Sequence, residues 1–376
     1  MTMAIKSEAK ESKSEGNLLQ ILREDGTLID KKLEPQIPAD DLKKLYELMV
    51  LTRAVDDRFV RMQRQGRVGF YIGSHGEEAA HIGSTYALEP TDWIFPQYRE
   101  PGAALYRGFS LKELACQVLG NSGDLTKGRQ MPSHYAFRDG RYLSISSPIA
   151  TQIPHAVGFA WAGKIRKEKF VTIVYFGDGA TSHGDFHVGM NFAGVFKTPT
   201  IFFNKNNQWA ISVPFRKQTA SAGVAVKGVA YGIESLRVDG NDLLAVIHAT
   251  REAAKRARNG EGPTLIEALT YRMGAHSTSD DPRIYSDVEE LEGWKKKDCI
   301  LRFQKYLQAK GLWNEKYEAD VIERSTNAIA KAIEEAEKLP PPPIESMFDD
   351  VYAELLPDQK EQLEYMLQFK HESREE

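Results

Sequence analysis

The chain has little cysteine. Only Cys116 and Cys299 occur among 376 residues, too far apart for a metal-ligand or redox spacing, so no disulfide framework and no cysteine-built metal site is expected. No apolar run approaches the roughly eighteen residues that cross a bilayer, which argues against a membrane partner. Charge of one sign is also lacking: the net charge is −4, and no basic block is dense enough to neutralise a phosphate backbone, so no nucleic acid partner is expected. The opening MTMAIKSEAKESKSEG has neither the apolar centre of a secretory signal nor the acid-poor character of a mitochondrial presequence. It reads as a disordered tail, and a cytoplasmic protein is the expectation. Finally, the chain lacks a G-x-G-x-x-G turn after a strand. The nearest candidate, GDGATS from Gly177, has no last glycine, which argues against a nicotinamide-dependent oxidoreductase.

What is present is a long alternation of helical and strand patterns, with enough apolar residues for a large core. From Pro38 to Gln65, Leu42, Leu45, Leu48, Met49, Val55 and Phe59 recur near helical spacing, predicting a helix that covers the core. Ser74 is placed to cap a following helix with Glu77 and Glu78 in its first turn. A glycine-rich loop, GNSGDLTKGRQMPSHYA, precedes a turn at Ser146 to Ile149 and a helix of small residues from Ile153 to Lys164. Farther on, a strand at Ser235 to Val238, a helix from Asp242 to about Arg258 and a strand at Thr264 to Tyr271 repeat the alternation. The pattern predicts an α/β fold, a doubly wound and mostly parallel sheet with helices on both faces, plus helical N- and C-terminal extensions. The organisation expected is a tail and lead-in over 1–37, an α/β core over 38–285, and a helical region over 286–376. In the last of these, Met347, Phe348, Val351, Tyr352, Leu355 and Leu356 are expected on one apolar face that clasps a partner.

The most informative stretch runs from Val171 to Trp209, VTIVYFGDGATSHGDFHVGMNFAGVFKTPTIFFNKNNQW. An apolar strand, a Gly-Asp-Gly turn, a helix, a second apolar strand and an Asn-Asn loop follow one another. Asp178 and Asn207 lie about one strand-helix-strand crossover apart, so each falls at the carboxyl end of a neighbouring parallel strand. One carboxylate, one amide oxygen and a backbone carbonyl, assigned to Trp209, form a hard oxygen set suited to magnesium, with a diphosphate cofactor completing the shell.

Gly177-Asp178-Gly179 followed by Asn206-Asn207 resembles the thiamine diphosphate signature of the 2-oxo acid dehydrogenases. From about Leu42 to Tyr285 the chain is similar to the alpha subunit of the branched-chain decarboxylating component, through KGRQMPSHY, SSPIATQIP, RVDGND and HSTSDD. The pyruvate dehydrogenase alpha subunit is a near relative, and the charged region from Trp294 to Trp313 resembles bacterial pyruvate enzymes. The resemblance implies the thiamine-diphosphate-binding fold, thiamine diphosphate and magnesium as cofactors, and magnesium held by Asp178, Asn207 and the Trp209 carbonyl. It implies that Tyr98 and Arg99 hold the diphosphate, that Ser147 and Ile149 line the cofactor, and that Gly179 and Ala180 admit it closely. Lys205 stands where an arginine is usual and is expected to keep a less directional phosphate contact. Ser146, Pro148, Thr151 and Gln152 match a monovalent-cation site, which would take potassium.

His276 follows a strand end in a loop of Ser, Thr and Asp, and a charge switch near physiological pH suits a group that orients the substrate carboxylate or donates a proton. The resemblance points to the same residue as catalytic. His183 is expected to act behind the site at most, and His134 is placed to face it. Ser277 matches a serine phosphorylated in mitochondrial relatives, but no such regulation is expected here. The partners implied are a beta subunit in a tetramer of two alpha and two beta chains, a lipoyl-bearing acyltransferase, and a small 2-oxo acid. Branched-chain acids are the first choice. Pyruvate and acetoin stay open, and a non-catalytic partner-binding subunit is the reading from a different class.

Overall fold

The computed structural model describes residues 18–369. Its main sheet is built from β1 (Leu18–Leu19), β2 (Trp93–Phe95), β3 (Thr172–Gly177), β4 (Thr200–Asn206), β7 (Glu234–Asp239) and β8 (Thr264–Leu269) in the order β1-β7-β8-β4-β3-β2. Every neighbouring pair is parallel. A small antiparallel pair, β5 (Trp209–Ala210) with β6 (Val213–Pro214), lies apart from it. The strands TIVYFG and TIFFNKN are buried along nearly their whole length, as expected of parallel strands covered on both faces.

The helices, in chain order, are α1 (Ala39–Arg64), α2 (Glu78–Tyr86), α3 (Pro101–Tyr106), α4 (Leu111–Leu119), α5 (Gln152–Ile165), α6 (Gly184–Phe196), α7 (Leu243–Arg258), α8 (Val288–Lys295), α9 (Cys299–Ala309), α10 (Glu315–Glu337) and α11 (Pro357–Gln368). Because side chains alternate along a strand, the sheet divides its core between two faces. Ile173, Tyr175, Ile201 and Phe203 pack with α1, α2, α7 and α9, while Val174, Phe176 and Phe202 pack with Ile153 and Val157 of α5 and Phe186 and Met190 of α6. This is the doubly wound arrangement.

Several expected elements appear with nearly the expected bounds, among them α1, whose Leu42, Leu45, Met49, Val55 and Phe59 are buried. In α7 the side chain of Asp242 accepts from Leu244 and Ala245 as the N-cap. Residues 1–17 of the expected tail lie outside the described residues, and Leu18–Leu19 joins the sheet as an edge strand beside β7. The charged stretch over 287–338 is three helices, each started by an acidic or amide cap at Asp287, Asp298 or Asn314, which satisfies the free N–H groups of the first turn. It packs on the core through Arg302, buried and 2.7 Å from Asp239.

Two expectations are corrected. Ser74 does not cap α2: its backbone N–H and hydroxyl both donate to Asp56, at 2.6 and 2.9 Å, and the helix starts at Glu78 without a side-chain cap. The turn between them needs glycine, since Gly76 has φ +91° and an added Cβ would lie 2.3 Å from the Tyr271 carbonyl oxygen. Nor do Met347 to Leu356 share a helical face. They form a short 3-10 turn and a series of bends before α11, because Arg129 donates to the Ser346 and Asp349 carbonyls and Lys127 pairs with Asp350, tying this stretch to the glycine-rich loop.

Candidate active site

The register of β3 on β4 places Gly177 opposite Lys205, so Asp178 and Asn207 leave adjacent strands at the same end of the sheet. β8 is bound on the far side of β4, and the Arg272 N–H donates to the Asn207 carbonyl at 3.2 Å, which draws the His276 loop to the same strand ends. Ligands of open α/β sheets bind at such carboxyl ends. A cavity of about 590 Å³ lies there, lined by Gln97, Tyr98, Arg99, His134, Ser147, Ile149, Asp178, Gly179, Ala180, Asn207, Trp209, Ile211 and His276, with Phe70, His183 and others.

Asp178 is 1% exposed. Its Oδ2 accepts from Gln218 Nε2 at 2.5 Å, while Oδ1 is buried with no hydrogen-bond partner. Burial raises its carboxyl to about 6, against the lowering effect of the Gln218 bond. A buried carboxylate oxygen without a partner is costly, and a hard cation is the ligand that would relieve it. Asn207 is fixed on both sides of its amide: Nδ2 donates to Glu77 at 2.7 Å, and Oδ1 accepts from the Trp209 N–H at 3.2 Å. The donor set therefore fits magnesium, with Asp178 Oδ1 as its clearest vacancy in hydrogen bonding. Among the described residues, three or more His, Cys, Asp or Glu side chains nowhere gather into a candidate metal group, so any cation here relies on amide and carbonyl oxygens beside Asp178.

The backbone around this cavity is strained. Ala150, Gln208 and Ile211 have φ of +71°, +72° and +54°, beside Ile149, between Asn207 and Trp209, and in the cavity wall. Non-glycine residues in this region cost about 1–3 kcal/mol each and concentrate at ligand sites. Gly179 has a packing reason as well, since an added Cβ would come within 2.8 Å of Ala210 Cβ.

His276 Nε2 lies 3.3 Å from the Tyr98 hydroxyl, and its backbone N–H donates to Asp280 at 2.7 Å. Asp280 also accepts from the Tyr285 hydroxyl at 2.5 Å, and Arg272 donates to that hydroxyl at 2.6 Å, so three side chains brace the loop. The charge switch expected near physiological pH is corrected. Burial, then Arg99 and Arg272, lower the imidazole to about 4, and His276 is neutral at pH 7.

Lys205 is a second correction. It does not line the cavity: its ammonium lies 2.9 Å from Glu77 and 2.6 Å from Glu100 and is 1% exposed. Burial works against its charge, and the two carboxylates outweigh it, so it is engaged by protein and not by phosphate. Glu77, expected only near a helix start, thereby ties Lys205 to Asn207, whose Nδ2 it also accepts from. Arg99 lines the cavity, but its two outer nitrogens donate to the carbonyls of Gly73 and His276 at 2.6 and 2.5 Å, so it fastens the His276 loop.

Ser147 is 2.6 Å from His134 Nε2, bringing the glycine-rich loop to the cavity. The Thr151 hydroxyl lies 2.9 Å from the Ser146 hydroxyl and donates to the Pro148 carbonyl at 3.1 Å. Gln152 donates to the Tyr175 carbonyl at 2.8 Å and keeps a buried Oε1 without a partner. Gln218 was not singled out from sequence. Gln218 lies 40 positions from Asp178, and no local pattern joins them.

A parallel sheet that collects a bare carboxylate oxygen, an amide and a histidine around one cavity at its strand ends is an α/β fold with a ligand site of the kind such sheets form. Residues 46–345 match the dehydrogenase E1 component family. The chain is 45% identical over 339 residues to the mitochondrial 2-oxoisovalerate dehydrogenase subunit alpha of Homo sapiens, covering 90% of this chain and 76% of that protein. It is 46% identical over 334 residues to subunit alpha 2 of Arabidopsis thaliana, covering 89% and 71%, and 44% identical over 352 residues to the subunit of Dictyostelium discoideum, covering 92% and 80%. The chain belongs to the dehydrogenase E1 component family.

Proposed function

We propose that the chain is the alpha subunit of a branched-chain 2-oxo acid dehydrogenase, which decarboxylates 3-methyl-2-oxobutanoate on thiamine diphosphate and passes the acyl group to the lipoamide of an acyltransferase. The observation that carries this reading is the identity of about 45% over 90% of the chain to subunits named for 2-oxoisovalerate. These relatives do not favour the alternatives of pyruvate, acetoin or a non-catalytic role.

Thiamine diphosphate, when bound, supplies the electron sink for the charge left as carbon dioxide departs. The protein's share is placement and proton control. Asp178, Asn207 and the Trp209 carbonyl would hold magnesium, with Gln218 fixing the second Asp178 oxygen. Tyr98, Ser147, Ile149, Gly179 and Ala180 would form the wall against the cofactor. His276, neutral and braced, offers Nε2 beside Tyr98 as a hydrogen-bonding group that orients the substrate carboxylate or moves one proton during acyl transfer. Ser146, Pro148, Thr151 and Gln152 would hold potassium, a role supported by the unpartnered Gln152 oxygen.

Asp178 is the one carboxylate among the described lining residues of the cavity. A second acid for the cofactor would come from a beta subunit, in a tetramer of two alpha and two beta chains. Val188, Val195 and Phe196 of α6 are exposed and would meet that partner. The test is co-expression with a branched-chain-type beta subunit and a magnesium- and thiamine-diphosphate-dependent assay. Preference for 3-methyl-2-oxobutanoate is expected; preference for pyruvate or acetoin would overturn the substrate assignment, and no turnover of any would overturn the catalytic one.

A further inference from the structure

The loop that carries His276 borders two cavities. His276 itself lines the one described above. Its neighbours Ala275 and Ser277, with Gly274 and Thr278, line a second of about 490 Å³. The walls of this second cavity include Arg53, Arg64, His75, Arg272 and Lys295, against Asp280 and Asp298. Much of that charge is already engaged: Arg53 reaches Glu78 at 2.8 Å and Asp298 at 2.6 Å, and His75 reaches Asp57 at 2.9 Å. Burial disfavours a charged His75, but Asp57 and Asp56 outweigh it and hold the imidazole near 9, so it is a cation at neutral pH.

Even after these pairings, Arg53 Nη2 and Arg272 Nη1 are buried without a hydrogen-bond partner. Arg272 is 5% exposed, and a guanidinium donor buried in that state calls for an acceptor. Guanidinium forks match the oxygens of phosphate and carboxylate. We propose that the second cavity binds a small oxyanion, a phosphate or a carboxylate, between Arg53 and Arg272 behind the His276 loop. Since Arg272 also holds the Tyr285 hydroxyl, an occupant would join the group that braces this loop and would stiffen it. The inference is independent of substrate choice and of turnover.

The experiment is calorimetric titration of inorganic phosphate, and separately of acetate, into the assembled protein saturated with magnesium and thiamine diphosphate, which keeps phosphate out of the cofactor cavity. One phosphate or one acetate per chain is expected, with the tighter of the two identifying a dianion or a carboxylate as the natural class. Arg64→Gln combined with Lys295→Gln changes two exposed side chains at the cavity wall and should fold normally; it should weaken binding about fivefold or more. Phosphate should also slow amide exchange across residues 273–280. Absence of saturable binding, or affinity unchanged in the double variant, would overturn the proposal and leave the two guanidinium nitrogens to buried water.

Discussion

At the carboxyl end of β4, Lys205 sits between Glu77 and Glu100 at 2.9 and 2.6 Å, and Glu77 is held below the ordinary carboxylate range because Lys205 and Arg99 outweigh its burial. At the end of β3, one strand away, Asp178 has no cation of its own, and burial lifts its carboxyl to about 6. Both sites are fully buried, and Lys205 and Asp178 both belong to the stretch that sequence singles out for cofactor chemistry. The difference separates architecture from a reserved ligand position. A buried charge with its partner present holds the fold together, whereas one kept without a partner is held at a cost for something not in the chain.

Removing Lys205 tests the first half and should have the largest effect. Lys205→Met leaves Glu77 and Glu100 facing each other in the interior, and loss of one partner of a buried ion pair costs about 3–5 kcal/mol. Denaturant unfolding of the assembled protein should show that loss, and adding Glu100→Gln should recover part of it. Full stability in the single variant would mean that the triad is not structural.

Asp178→Asn should do the reverse. At pH 7 without metal it removes an uncompensated buried charge, so stability should hold or rise, while magnesium affinity falls by about a hundredfold, the upper end of what even outer-shell changes cause. A calorimetric magnesium titration in the presence of thiamine diphosphate measures this. Unchanged affinity would remove Asp178 from the metal site. Gln218→Leu is the milder version: it frees Asp178 Oδ2 from its 2.5 Å bond and should weaken magnesium about tenfold by letting the carboxylate turn.

The same contrast explains what could be read from sequence. The strands β3 and β4, the helix between them and the positions of Asp178 and Asn207 at neighbouring strand ends follow from local periodicity and one crossover length, and the structure has them. Helices α1, α5 and α7 were legible for the same reason. The Glu77–Lys205–Glu100 triad was not, because its members are brought together only by the finished sheet, and Lys205 alone read as a phosphate-contacting cation. Ser74 fitted a cap pattern, but the competing Asp56 acceptor comes from α1, which no local window contains. Residues 347–356 had apolar spacing without a helix, since their backbone is fixed by Arg129 from a distant loop.

The smallest effect separates Asp178 from His276 by the sign of their titrations. In the assembled protein without magnesium or cofactor, Asp178 has a folded value of about 6 against an ordinary 3.8. Between those values the folded state holds more protons, so acidification through that window stabilises the fold. His276 has a folded value of about 4 against an ordinary 6.5; there the unfolded state holds more protons, so its contribution to stability is lost as pH falls from 6.5 toward 4. The two windows overlap and oppose each other, which flattens their joint effect on thermal stability. Asp178→Asn leaves the His276 response exposed, and its melting temperature should fall more steeply than the wild type's as pH drops through 6 to 4. His276→Gln leaves the Asp178 response exposed, and its melting temperature should rise relative to the wild type over the same range. Saturating magnesium should abolish the second difference, because a cation on Asp178 Oδ1 displaces the proton that produced it. Two difference curves of the same sign would show that the cavity holds both groups in one protonation regime, and the contrast between a reserved carboxylate and a neutral imidazole would fail.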